Sequence, residues 1–218
     1  MVDNANSLKH NLAGRQAGRQ AGRQAGRQAF SLQIKQSGTD EYYSPQNVVD
    51  MIVPHVLSKG YKSVWCPFDT TESRFVKTFQ DLGLEVAYGH IETGQDFFDY
   101  KEPQGEIVVS NPPFSKRDAI FKRLYEMKVP FALVMNFNGL FDSKTRSRLF
   151  RENRIEILVP YGRMKFIHKD RGQLNQPNFQ SVYVCSGLLP DQITFSDADF
   201  SKRNTQMTLN ELQETSND

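Results

Sequence analysis

Residues 106 to 115 read Glu106-Ile107-Val108-Val109-Ser110-Asn111-Pro112-Pro113-Phe114-Ser115. The β-branched apolar run predicts a buried strand. The two prolines that follow fix φ and supply no N–H, so the chain leaves the strand as a stiff loop that presents carbonyl acceptors. Asn111 adds a side-chain acceptor beside them. Two acceptors converging on one NH2 group can hold an amine and aim its lone pair, and Phe114 can stack on a flat ring that carries it. Parts of this kind accelerate by positioning and preorganised dipoles rather than by a strong base. In an open α/β sheet, the carboxyl end of a strand is also where ligands bind.

Outward from this strand the pattern alternates between strand and helix. Ser44 and Pro45 predict a helix start, Ser44 as N-cap and Pro45 as first helical residue, ahead of an amphipathic run over 47–53. Residues 63–68, Ser-Val-Trp-Cys-Pro-Phe, read as the first sheet strand. Residues 69–73 then cap a helix over 74–82, whose N-terminus suits an anionic group. A second strand is expected over 84–91. Past the central motif the expectation is helix 118–127, strand 130–136, helix 143–152, strand 155–159 and a last strand 181–185. A long polar loop, 162–180, separates the final two. It carries Arg163, Lys165, His168, Lys169 and Arg171 against one acid, Asp170. An ordered loop of that length is usually functional.

The Asn111-Pro112-Pro113-Phe114 stretch resembles the signature of amino-methyltransferases that use S-adenosylmethionine (AdoMet), above all the DNA N6-adenine methyltransferases, and among them small adenine methylase-like proteins of phages and bacteria. The resemblance covers roughly residues 40 to 195. It implies an α/β, Rossmann-like AdoMet-dependent methyltransferase fold: a mixed sheet of about seven strands with helices on both faces. It also implies that the Asn111 side chain and the Pro112 carbonyl bind the target amine, with Pro113 stiffening the loop and Phe114 on the base. Tyr43-Ser44-Pro45 is similar to the family's opening motif, which contacts AdoMet. Cys66-Pro67-Phe68-Asp69, with Ser73, stands where most relatives carry a glycine-rich loop. Both glycines are missing, so Asp69 and Ser73 would hold the methionine end by side chains. His90, or Glu92 beyond it, occupies the ribose position. Asp96 and Phe97 match the residues expected at the cofactor adenine. In the long loop, Phe179, or Phe166 as the alternative, would sandwich a flipped base, with Arg163, Lys165, Lys169 and Arg171 near the substrate. The partner implied is DNA, with single strands, RNA or a protein glutamine as other substrates for the same chemistry. A non-catalytic protein on a decayed fold is the contrasting reading.

Composition narrows the classes. The 218 residues carry a formal charge of +2. Residues 1–29 hold Lys9, Arg15, Arg19, Arg23 and Arg27 against Asp3, a local +4 that leaves about −2 for the rest. The body therefore has no strong overall footprint for nucleic acid. Ala-Gly-Arg-Gln occurs four times over 13–28. Such a unit has no large apolar side chain to bury, and it predicts a disordered basic arm over 1–29. Residues 30–195 are expected to form the catalytic domain, and 196–218 a flexible polar tail. Roughly 155 residues suffice for a real core. No signal peptide and no membrane-length apolar run is present. Cys66 and Cys185 lie far apart with no metal spacing, which predicts reduced thiols in a cytoplasmic protein and no metal.

Overall fold

The structure is a computed structural model that describes residues 42–168, 174–175 and 179–200. The basic repeat, Lys169, Arg171 and the chain beyond 200 lie outside them. The strands are β1 (Tyr42–Tyr43), β2 (Ser63–Cys66), β3 (Glu85–Tyr88), β4 (Ile107–Ser110), β5 (Phe131–Asn136), β6 (Glu156–Tyr161), β7 (Phe166–His168), β8 (Leu174–Asn175), β9 (Ser181–Ser186) and β10 (Ile193–Asp199). The helices are α1 (Gln46–Ser58), α2 (Arg74–Asp81), α3 (Arg117–Met127) and α4 (Lys144–Glu152).

Seven strands form one mixed sheet in the order β10-β6-β9-β5-β4-β2-β3. β3, β2, β4 and β5 run parallel; β9 is antiparallel to β5 and β6, and β10 is parallel to β6. This is the α/β, Rossmann-like arrangement expected. The alternation of each strand divides the core. Val64, Cys66, Ile107, Val109, Ala132 and Val134 face α1 and α2, where Ile52, Phe75 and Phe79 pack. Trp65, Val108, Phe131, Leu133 and Met135 face the other way, onto Ile120, Phe121 and Leu124 of α3 and Leu149 and Phe150 of α4. Helices therefore cover both faces, and each fully buried large side chain contributes roughly 1.5–3 kcal/mol.

The order also locates a crevice. From β2 the chain crosses through α2 to β3 on one side, then returns to β4 on the other. The loops leaving β2 and β4 diverge there, which opens a cleft at the carboxyl ends of the two strands.

Three features differ from the sequence expectation. Ser44 does not cap α1: Pro45 is the capping residue and receives no side-chain bond, because the Ser44 hydroxyl is taken by Asn111. The loop 162–180 contains two strands, and β7 pairs antiparallel with β1, Tyr43 opposite Ile167, and with β8. The sheet also continues past 195, since β10 runs to Asp199 and Phe200 is buried. Ser196 and Asp197 of β10 suit an edge strand that must not recruit another chain.

Candidate active site

At the carboxyl ends of β2 and β4 lies a buried carboxylate. Asp69 is 9% exposed. Its Oδ1 accepts from the Ser73 hydroxyl at 2.5 Å and its Oδ2 from the Ser110 hydroxyl. Ser73 in turn caps α2, its Oγ accepting from the Phe75 N–H at 3.2 Å. The Asp69 N–H donates to the Gly89 carbonyl at 3.0 Å. One side chain thereby ties the loop after β2 to the end of β4 and to the start of α2. The sequence signal for Ser110 is a small hydroxyl at a strand's last residue.

Burial pushes the Asp69 carboxyl up from 3.8 to about 6, while the hydrogen bonds from Ser110 and Ser73 hold it back. Between those two values the folded protein keeps a proton that the unfolded chain has released. Stability therefore falls as pH rises from about 4 to about 6, by something on the order of 3 kcal/mol, and stays at the lower level above. Asp69→Asn removes the titration and should flatten that segment of the melting-temperature profile. An unchanged slope between pH 4 and 6 in the variant would contradict the assignment.

Asn111 follows at once. Its Nδ2 donates to the Ser44 hydroxyl at 3.3 Å, across 67 positions of sequence, and Ser44 is buried. A donor bond at Nδ2 fixes the amide's flip, so that Oδ1 is its acceptor end. Pro112 is buried and Pro113 half-buried. The Pro113 carbonyl closes a 3-10 turn over Phe114–Lys116, accepting from the Lys116 N–H at 3.2 Å. The Pro112 carbonyl makes no such bond among the described residues. Phe114 is half-buried, and its ring meets Phe179 edge to face with centroids 5.8 Å apart. Phe166, the alternative partner, is 2% exposed in the core, held there by β7 pairing with its neighbours. Phe179 is the ring that stands beside Phe114 among the described residues.

The other expected cofactor residues occupy the same end of the sheet in different ways. The Tyr43 side chain is 45% exposed, ahead of Ser44 and Pro45. Cys66 points into the core, fully buried, and burial with Asp69 nearby pushes its thiol well up. Its carbonyl accepts from Asp69 and Gly89. Contact with a ligand through the Cys66 side chain is therefore closed. Pro67 is buried, and Phe68 is half-buried against Phe97 at 4.9 Å. Phe97 is 2% exposed and also meets Trp65 at 5.5 Å, so it belongs to an aromatic cluster beneath the surface. His90 caps a short turn, Nδ1 accepting from the Glu92 N–H at 3.2 Å. Asp96 caps the next one, Oδ1 accepting from the Phe98 N–H at 3.0 Å, with Oδ2 remaining as an acceptor.

One further acceptor went unread in the sequence. Asn47 Oδ1, on the first turn of α1, is buried without a hydrogen-bond partner. A bound group that carries N–H or O–H donors would satisfy it. Of the loop cations, Arg163 is exposed and Lys165 half-buried. Among the described residues no cluster of three or more His, Cys, Asp or Glu can hold a metal ion, and no helix is long and apolar enough to cross a membrane.

No family model matches the chain, and no curated protein does. Among solved structures, it is similar over 66% of its length to a modification subunit of a putative type I restriction enzyme from Vibrio vulnificus, at 13% identity and a TM-score of 0.34. The match covers 44% of that subunit, so the chain spans less than half its length.

Proposed function

We propose that this protein is an AdoMet-dependent methyltransferase acting on the N6 amine of adenine in DNA. The observation that carries this reading is the Asn111 amide, placed at the end of β4 beside the sheet's crevice with its flip set by Ser44. Asn111 Oδ1 and the Pro112 carbonyl accept the two N–H bonds of the target amine. This directs the nitrogen lone pair away from the protein acceptors and into the crevice. Phe114 and Phe179 hold the base by its faces and edges. AdoMet, when bound, supplies an electrophilic methyl group. The amine proton released on methylation passes to water. A duplex target would have to be flipped out, since its amine is otherwise paired.

Asn47 Oδ1 and Asp96 Oδ2 are acceptors suited to AdoMet's amines and hydroxyls, with Tyr43 and Phe68 as flat surfaces beside them. The basic arm over 1–29 and the domain beginning near residue 30 remain part of the same proposal, in which deleting the arm leaves activity intact.

Two observations favour a second reading, a non-catalytic scaffold. Both Asp69 oxygens are already engaged by protein hydroxyls, and the Cys66 side chain is sealed in the core. Calorimetric titration of the full chain with AdoMet separates the two. Binding tighter than about 1 mM, roughly −4 kcal/mol, is the expected result. No detectable heat and no competition by S-adenosylhomocysteine would leave the scaffold reading standing.

A further inference from the structure

The carboxyl edge of the sheet carries exposed rings outside the Asn111 site. Phe137 follows β5 and is 42% exposed; Phe141 is 48% exposed; Tyr161, the last residue of β6, is 65% exposed. They are neighbours. The Phe137 N–H donates to the Gln180 carbonyl at 2.8 Å, and the Gln180 side-chain amide donates to the Gly162 carbonyl at 3.0 Å. Gln180 thus bridges the ends of β5 and β6. The preceding residue, Phe179, is the one that meets Phe114. Phe137 and Phe141 stack edge to face at 6.2 Å. Phe114 with Phe179 and Phe137 with Phe141 thus form two ring pairs at adjoining strand ends, with Tyr161 at the next.

The loop bearing two of these rings is firmly held. Arg146 is 4% exposed. Its Nε donates to the Leu140 carbonyl and its Nη2 to the Gly139 carbonyl, both at 2.7 Å, while Nη1 pairs with Asp118. A buried arginine spent on keeping two phenylalanines in water is what a contact surface requires. Beside them, α4 exposes Lys144, Arg148 and Arg151 on one face, at the spacing of successive turns. The acids there are Asp142 and Glu152, and Glu152 is paired with Arg148 at 2.8 Å. Arg163 follows Tyr161 and is exposed. The surface is cationic, so its partner is anionic. Exposed rings take flat partners that are not already stacked, and the bases of a duplex are stacked on one another. Rings interleaved with cations form the platform used for unpaired strands.

We infer that this edge binds single-stranded DNA flanking the target adenine, with bases on Phe137, Phe141 and Tyr161 and phosphates on Lys144, Arg148 and Arg163. The inference rests on reading the Asn111 site as a DNA-methylation site, and it adds the form of the substrate: an unpaired strand. The test is fluorescence anisotropy of the full chain with a labelled oligonucleotide of about 16 nucleotides, single-stranded and as duplex. The single strand should bind at least tenfold more tightly. Phe137→Ala with Phe141→Ala should weaken it at least tenfold. Lys144→Gln with Arg148→Gln should flatten the slope of log affinity against log salt by about 1.4. All four side chains are exposed, and unchanged melting curves serve as the folding control. The N-terminal arm is common to every variant and cancels in the comparison. Equal affinity for duplex, or parental affinity in both double variants, overturns the inference. Methyl transfer measured on the same proteins keeps the two readings apart. Ring-dependent strand binding without transfer upholds the edge and removes the reaction. Transfer to DNA with ring-independent binding removes the edge alone.

Discussion

Asn111→Ala should lower methyl transfer by about 10²–10³-fold, the loss typical when one preorganised hydrogen-bonding group is removed from a reacting centre. AdoMet affinity should stay within about tenfold, roughly 1.4 kcal/mol, because the residues expected at the cofactor belong to other loops. The side chain stands between Ser44 and the crevice, so its removal also releases the Ser44 hydroxyl. Ser44→Ala supplies the comparison. It leaves the Asn111 amide in place but removes the bond from its Nδ2 to Ser44, and should lower kcat more than it raises KM. Equal rates for Asn111→Ala and the parent would remove Asn111 from the mechanism.

The largest stability effect is expected at Glu156. This carboxylate is fully buried at the start of β6. Its Oε1 accepts from the Gly187 N–H at 3.1 Å and from Arg154 Nε at 2.5 Å. Its Oε2 accepts from the N–H groups of Leu188 and Leu189 at 2.9 and 2.7 Å. The turn leaving β9, where Gly187 has φ of +75°, thus closes on one side chain. Glu156→Ala strands three backbone donors, while the exposed Arg154 turns to solvent, and should cost about 3–5 kcal/mol. For a domain of this size that is a fall of roughly 10 °C in Tm. Glu156→Gln keeps an acceptor and should recover part of the loss. A drop below about 1 kcal/mol in Glu156→Ala would contradict this account of the turn.

Local patterns made much of this fold legible. The runs around Val64, Val108 and Leu133 are β-branched and apolar because both sheet faces are covered, and they fell on strands within a few residues. Ser73 was readable within a capping segment and does cap α2, while Ser143, expected as the first residue of its helix, caps α4 instead. Long-range pairings were not readable. Nothing near Tyr43 marks Ile167 as its partner, so a short antiparallel sheet was hidden in a segment that looked like loop. Ser44 has the sequence context of an N-cap, yet a residue 67 positions away claims its hydroxyl. The second half of β10 reads as tail from sequence because edge strands carry polar residues. The position of Asn111 and Phe114 just past the end of β4 was legible from the apolar run before them. The Asp69–Ser110 bond was not, because it depends on β2 and β4 lying side by side in the sheet.

The central claim is methyl transfer to DNA adenine. The most direct measurement incubates the full chain with methyl-labelled AdoMet and adenine-unmethylated DNA, with RNA and protein lysate in parallel, and digests the products to nucleosides and amino acids. The account predicts label in the DNA, recovered as N6-methyladenine and lost in Asn111→Ala. Label confined to RNA or protein, or absent throughout, would contradict it.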